Sequence, residues 1–407
     1  MKVTVRGNIL DLLAFRGLVP RRRKRFSKAS AQPLALAPVN KLAQQLHPNR
    51  QRLVIAEVRE ETKTTKTYRL VPDPDSDTRE VAYFRAGQYV SLKVEVDGTP
   101  ITRPYSISSA PFEALGAGGF YEITAKKKAD GFLTAYAWDH WKVGTKVVSS
   151  GPCGQFFYEP LRDARQIVGL AGGSGITPFC SMAKEIVYGE LDAELLVLYG
   201  SSDQDDILYY ELFKELEKQA RGKIKVVHVL SCDEVSLEGC EQGFITADTI
   251  AKYAGVRNSS FFVCGPQAMY EFVARELATL LVPARRIRRE AYGQAADIGQ
   301  APGFPREVAG KTFRLVAHIG GLTTEVPAKA TEPVLVALER AHLAPPSECR
   351  SGECGFCRAR LIAGDVYIQP SSDGRRAADR QFGYIHPCSS YPISDLEISA
   401  TRGEQAE

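Results

Sequence analysis

Cys349-Arg350-Ser351-Gly352-Glu353-Cys354-Gly355-Phe356-Cys357 sets three thiols at C-x4-C-x2-C spacing, and Cys388 supplies a fourth about thirty residues later. Four soft sulfur donors brought together suit a thiophilic metal centre rather than a hard cation. A short, turn-rich loop lets three of them wrap one side of that centre. Gly352 and Gly355 permit the close backbone approach and unusual dihedrals this needs, so that backbone N–H groups can reach the sulfurs. A zinc knot is the competing reading, but zinc favours paired C-x2-C units and Cys354–Cys357 is a single pair. The spacing is that of a two-iron, two-sulfide cluster with Cys349, Cys354, Cys357 and Cys388 as ligands.

Working outward, residues 310–400 read as a small α/β unit. Lys311–His318 and Leu322–Val326 pair as a hairpin around Gly320-Gly321, and a helix covers Glu332–Ala341 before the cysteine loop. A Gly/Pro-rich stretch, Gly299 to Pro305, precedes it as a connector. Between residues 165 and 290, apolar strands (Gln166–Leu170, Leu195–Tyr199, Lys225–Leu230, Ser260–Cys264) alternate with amphipathic helices (Pro178–Tyr188, Leu208–Ala220, Pro266–Leu281). That rhythm implies a parallel sheet with helices on both faces. Residues 50–160 carry short strands separated by turn residues, the pattern of an all-β unit.

Length and composition agree with several domains. The chain has 407 residues, 44% hydrophobic and 25% charged, enough for two to four globular units. The net charge of +4 is uneven. Residues 1–50 hold eleven Lys/Arg against Asp11 alone, a charge of +10 that leaves −6 for the rest. No stretch is apolar enough to span a membrane. Nine cysteines, four of them in the last sixty residues, suit thiol ligands in a reducing compartment better than a disulfide scaffold. Arg21-Arg22-Arg23-Lys24-Arg25 is not followed by an apolar export segment, so a cytoplasmic location is expected.

Seven further motifs lie upstream of the cysteine loop. Arg103-Pro104-Tyr105-Ser106 sits on a strand of the all-β region, with Arg103 and Tyr105 on one face by alternation. Ala86-Gly87-Gln88-Tyr89 precedes it; Gly131-Phe132-Leu133-Thr134 opens a helix, and Gly151 to Phe156 follows. Gly172-Gly173-Ser174-Gly175-Ile176-Thr177-Pro178 joins an apolar strand to a helix, where a Gly-rich turn at a helix N-terminus can cradle a pyrophosphate. Cys264-Gly265-Pro266 ends a later strand, with Met269 just inside the next helix, and Arg289-Glu290-Ala291-Tyr292 closes the region.

On these motifs the chain resembles the ferredoxin-NADP reductase superfamily joined to a plant-type ferredoxin, and the likeness covers residues 50–400. Their order is similar to that in the reductases of phenylacetyl-CoA epoxidase and of hybrid-cluster protein. The resemblance implies a multidomain chain: a basic extension at 1–46, an FAD-binding antiparallel β-barrel at 47–162, and an NAD(P)H-binding α/β domain with a parallel sheet at 163–296. A linker at 297–308 and a β-grasp-like α+β ferredoxin domain at 309–407 complete it.

It also implies roles. Arg103 neutralises a flavin phosphate, Tyr105 packs on the ring or ribityl chain, and Ser106 reaches flavin N5. Gln88, Tyr89, Pro104, Gly131, Phe132, Leu133 and Thr134 complete the flavin site, with FAD favoured over FMN by the helix start. Gly172, Gly173, Ser174, Gly175 and Thr177 hold the nicotinamide cofactor with Gly265, Pro266 and Met269. Cys264 lies beside the site of hydride transfer, and Glu290 and Tyr292 lie near the flavin. Asp203, Asp205 and Asp206, without an arginine, favour NADH over NADPH.

The implied function is hydride transfer from NADH to FAD, then single electrons through [2Fe–2S] to a metalloprotein such as an oxygenase. Two alternatives stand beside it: a reductase acting on a small molecule at the flavin, and a membrane-docked electron-transfer module anchored through residues 1–28 (Ile9–Phe15 and Arg21–Arg25). Nucleic acid is not expected, because aromatics are not interleaved with the basic run. One departure from the ferredoxin pattern is His386-Pro387 before the last ligand, read as a surface histidine. The acceptor is expected to dock near Arg350, Glu353 and His386.

Overall fold

The computed structural model describes residues 8–29, 37–96, 98–127, 132–232, 237–291, 297–343 and 345–401. Residues 1–45 form one unit and 46–407 another. In the first, α1 (Ile9–Ser27) starts at an Asn8 cap that is answered by Asp11 in a capping box. Apolar Leu10, Leu13, Leu18, Val19 and Phe26 are all exposed, and they mix with the basic run rather than forming a separate face. α2 (Pro38–Leu46) follows. Among the described residues no helix is long and apolar enough to cross a membrane.

The second unit begins with β1 (Gln51–Thr62), β2 (Thr65–Pro72), β3 (Tyr89–Val96), β4 (Thr99–Ser106), β5 (Tyr121–Lys126), α3 (Phe132–His140) and β6 (Lys146–Ser149). The strands pair antiparallel in the order β4-β3-β6-β1-β2-β5. The two edges then meet: Ile107 bridges to Ile123, and Ser108 N–H donates to the Glu122 carbonyl at 2.8 Å. This closes the barrel and removes its free edges. Alternation drives Leu53, Ile55, Leu70, Val90 and Leu92 into its core.

Next come β7 (Gln166–Gly172), α4 (Thr177–Tyr188), β8 (Glu194–Ser201), α5 (Tyr210–Gln219), β9 (Ile224–Leu230), β10 (Glu241–Gln242), α6 (Ala247–Tyr253), β11 (Ser259–Gly265), α7 (Gln267–Thr279) and β12 (Ile287–Ala291). All pair parallel, in the order β10-β9-β8-β7-β11-β12. Strands buried on both faces read as continuous apolar runs, which makes them legible in the sequence. Order reverses between β7 and β11, so a crevice opens at their carboxyl ends.

The last part holds β13 (Thr312–Ile319), β14 (Leu322–Lys329), α8 (Val334–Arg340), β15 (Ala359–Ala363), β16 (Val366–Tyr367), α9 (Ala377–Gln381), β17 (Tyr384–Ile385), β18 (Tyr391–Pro392) and β19 (Leu396–Ala400). Its main sheet runs β14-β13-β19-β15-β17, with β13 and β19 parallel. α8 covers the inner face through Val334, Ala337 and Leu338 against Leu315, Ala317 and Ile398. The connector before it is packed rather than free. Ile298, Phe304 and Val308 are buried with Ala330, Tyr367 and Tyr391.

The barrel and the parallel-sheet domain are joined by buried charge. Lys184 on α4 lies 3.3 Å from Glu113 and 3.4 Å from Glu122, and Glu122 also takes Arg69 at 2.9 Å. Burial pushes the Glu122 carboxyl up, but Lys184, Arg59 and Arg69 overcome this and hold it below the ordinary 4.5. A depressed folded pKa stabilises above the ordinary value, and that stabilisation is lost as pH falls through the folded one. Glu122→Gln is therefore expected to cost about 3 kcal/mol at neutral pH by leaving cations uncompensated. Thermal melts should show the gap from the native protein closing as pH falls below the ordinary 4.5.

Candidate functional site at the junction of three domains

The cysteine loop runs between α8 and β15. Cys349, Cys357 and Cys388 are 5%, 3% and 1% exposed, whereas Cys354 is open to solvent. Their sulfurs form a contact chain. Hydrogen bonds from Cys354 and Cys388 hold the Cys349 thiol far below its usual range, and Cys388 lowers Cys357 in the same way. Ser351 and Cys354 N–H groups donate to Cys349 Sγ, and Phe356 N–H to Cys354 Sγ, each at 3.4 Å. Gly352 has φ +84°, and a Cβ there would meet the Ser372 carbonyl at 2.4 Å and Ser389 Oγ at 2.5 Å. Four convergent thiols with backbone N–H donors aimed at the sulfurs fit a [2Fe–2S] cluster.

Two residues expected on the loop's outer surface are inside. Arg350 is 3% exposed and His386 1%. Arg350 sits at φ +56°, a costly conformation for a residue with a Cβ. Its guanidinium grips Glu339 of α8 through both oxygens, at 2.5 and 3.0 Å, which holds that backbone in place. His386 Nδ1 lies 2.6 Å from the Gly352 carbonyl, with Asp379 3.7 Å from Nε2. The histidine braces the loop from behind. Glu353, the third residue of that expectation, is exposed.

The barrel meets this loop along β3 and β4. Arg103 lies 4.0 Å from Glu339, so two cations flank one buried carboxylate. Burial and then the nearby Arg350 bring the Arg103 guanidinium down to about 10, with Glu339 opposing. The triad keeps one net positive charge, available to an anion. Tyr105 is buried, and its hydroxyl has no partner among the described residues. An orphaned phenol beside an uncompensated cation on a strand fits a flavin phosphate and polyol. Pro104 is half-buried and Ser106 is buried directly opposite Tyr89 in the β3–β4 ladder. Gln88 is spent on scaffold: its carboxamide accepts from Arg85 N–H and donates to the Gly154 carbonyl. α3 starts at Phe132, with Leu133 buried and Thr134 half-buried on its first turn. Gly131 lies outside the described residues.

The dinucleotide crevice is built by close packing at the switch point. A Cβ on Gly175 would lie 2.1 Å from the Cys264 carbonyl, and one on Gly172 would lie 2.6 Å from Met269 Sδ and 3.0 Å from Pro266. Gly173 accepts from Tyr199 Oη at 3.0 Å, and Thr177 Oγ1 donates to the Ser174 carbonyl at 3.0 Å. Cys264 is fully buried. Burial and the neighbouring Glu290 push its thiol well above the ordinary value, so it is neutral. Tyr270, which no local motif announced, donates to the Glu290 carbonyl and accepts from Gly265 N–H. It ties β11 to β12. Glu290 is buried at the end of β12, and Tyr292 lies outside the described residues. Of the three acids read as selecting NADH, Asp205 pairs with Lys63 at 3.1 Å and Asp206 with Lys126, both on the barrel; Asp203 caps its own turn.

Tyr89 is where the three sites converge. Its ring packs on Gly154, where a Cβ would come within 2.9 Å of it and 3.6 Å of Glu290 Oε1. Its phenol is raised by burial and then by the nearby charge of Cys349, Cys354, Cys153 and Glu290. Cys153 pairs with Tyr89 by two backbone hydrogen bonds, 2.9 and 2.8 Å. A cleft of about 360 Å³ separates α7 from the cysteine loop, lined by Tyr270, Arg289, Ser351 and Cys388 among others.

Comparison with known proteins matches this division. The sequence family described as "Oxidoreductase FAD-binding domain" matches residues 53–158, "Oxidoreductase NAD-binding domain" 170–275, and "2Fe-2S iron-sulfur cluster binding domain" 317–392. The ferredoxin reductase component of 3-ketosteroid-9-alpha-monooxygenase from Mycobacterium tuberculosis is 30% identical over 84% of this chain and 93% of its own length. A component of 1,2-phenylacetyl-CoA epoxidase from Escherichia coli is 24% identical over 85% of this chain and 96% of its own. Phthalate dioxygenase reductase shares the fold, with TM-score 0.59 and 23% identity over 86% of this chain and 98% of that one. Gly175→Ala should raise the KM for NADH about tenfold or more by displacing the pyrophosphate turn. Steady-state NADH–ferricyanide kinetics check this, with bound flavin, read by absorbance, unchanged.

Proposed function

This chain belongs to the family of reductases that join an oxidoreductase FAD-binding domain, an oxidoreductase NAD-binding domain and a 2Fe–2S domain, and we propose that it takes electrons from NADH in pairs and delivers them singly to a partner oxygenase. The observation that supports this most is the convergence on Tyr89 of the barrel motif, Glu290 of the parallel-sheet domain and the thiols of Cys349 and Cys354. When bound, FAD supplies hydride acceptance and one-electron release, and the [2Fe–2S] cluster supplies one-electron storage.

The chain's own residues position and insulate. The Gly172–Thr177 turn at the start of α4 binds the dinucleotide pyrophosphate with backbone N–H groups and the helix dipole. Cys264, neutral and buried, offers a soft, uncharged wall beside the nicotinamide, so no thiolate competes as nucleophile. Arg103 neutralises the flavin phosphate, Tyr105 uses its orphaned hydroxyl on the cofactor, and Ser106 stands at the flavin with Tyr89 opposite. Cys349, Cys354, Cys357 and Cys388 hold the cluster. Tyr89, Cys153 and Gly154 fill the space toward the cluster loop and keep water out of it.

NADH is the preferred donor. The loop after β8 carries acids, and the lysines near it are already paired with Asp205 and Asp206. That leaves no arginine fork for a 2′-phosphate. A cytoplasmic setting suits nine cysteines none of which is joined in a disulfide. Specificity constants should favour NADH over NADPH by about tenfold or more, and equal values would remove this preference.

Cys349→Ser separates the two halves of the reaction. NADH–ferricyanide turnover should persist while reduction of a one-electron haem protein falls by about a hundredfold, since only the second needs the cluster. Equal loss of both, with flavin still bound, would sink the proposed order of transfer.

A further inference from the structure

The cysteine loop is braced from the side of α8 and of His386. Glu339 lies behind Arg350, and His386 fills the space behind Gly352. The open side is marked by exposed Cys354 and by Phe356, 54% exposed. From there the chain runs directly into β15. Ala359 faces the core, whereas Arg358 and Arg360 lie on the outer face. Arg360 stands opposite Tyr384 of the edge strand β17, and the Arg358 guanidinium lies 5.0 Å over the Tyr384 ring. Ile362, 50% exposed, sits at a bulge, and the neighbouring Leu361 N–H donates to Gly383, next to Phe382, which is 62% exposed.

Charge along the β15–β17 edge of this face is mainly basic, while Glu397 of the neighbouring β19 is taken up by His318 at 2.9 Å and Glu325 of β14 by Arg314 at 3.4 Å. Arg358 and Arg380 have partners in Asp379 and Asp373. Arg360 and Arg376 are exposed, and their guanidiniums have no acidic partner among the described residues. Glu353 is the exposed acid at the cluster end. Aromatic and aliphatic side chains ringed by arginines are the composition of the energetic centre of a protein interface. Uncompensated cations there select a partner of the opposite sign and speed its encounter.

We propose that this outer face of the ferredoxin sheet, from Phe356 through Arg358 and Arg360 to Phe382, is the docking surface for the electron acceptor. The acceptor presents an apolar patch with an acidic rim. The proposal rests on the reading of this chain as a one-electron donor to a protein. It replaces the site expected at Arg350 and His386, which are buried.

The test uses the full-length protein loaded with FAD and cluster, and two small haem proteins of similar potential, one acidic and one basic. The native protein should reduce the acidic one faster, and that rate should fall about tenfold as salt rises from low to physiological strength and above. Arg360→Glu combined with Arg376→Glu should slow the acidic acceptor at least about tenfold at low salt and flatten its salt dependence. NADH–ferricyanide turnover should be unchanged. Phe382→Ser should slow the same reaction without altering the salt slope. Equal rates with both haem proteins, or an unaltered rate in the double variant, overturn the docking surface. Native protein that oxidises NADH yet reduces neither haem protein overturns the one-electron-donor reading itself, and this surface with it.

Discussion

The buried carboxylate of Glu339 between Arg103 and Arg350 is the interaction on which the rest of the arrangement depends. It joins barrel strand β4 to the loop that carries Cys349, Cys354 and Cys357. A carboxylate this deep is stable only because two guanidiniums face it, one through both oxygens at 2.5 and 3.0 Å. The same pair holds Arg350 at a backbone angle that a side chain resists. This contact fixes the start of the cysteine loop against α8. A net positive charge is left over at Arg103, and that charge suits the phosphate of the flavin.

A second constraint comes from the parallel sheet. Because strand order reverses between β7 and β11, which stay paired to their carboxyl ends, the turn after β7 and the Cys264–Gly265 bend face one crevice. Close backbone contact there excludes any side chain at Gly175. Tyr270 then fixes β12 against β11, and so places Glu290 beside Gly154 and Tyr89. Two separately folded layers thus present their functional groups to the same few ångströms of space.

Lys184 with Glu113 and Glu122, and Lys63 and Lys126 with Asp205 and Asp206, clamp the barrel to the dinucleotide domain from the other side. These pairs recast the acids after β8. Two of them are clamps as much as filters for the donor's phosphate.

The sequence by itself determined the parts. Ligand spacing, the Arg103–Ser106 strand, the glycine turn before Thr177 and the apolar runs of the parallel sheet are local patterns. Local patterns survive because backbone geometry and thiol chemistry act over a few residues. What only the tertiary structure decided is which of those residues face one another. Nothing in the neighbourhood of Glu339 distinguishes it from an ordinary helix carboxylate, and Arg350 and His386 have the composition of surface residues. Their burial comes from long-range packing of α8, the barrel and the loop. The same packing leaves Arg358, Arg360 and Phe382 exposed, so the proposed docking surface was legible only once the chain had closed on itself.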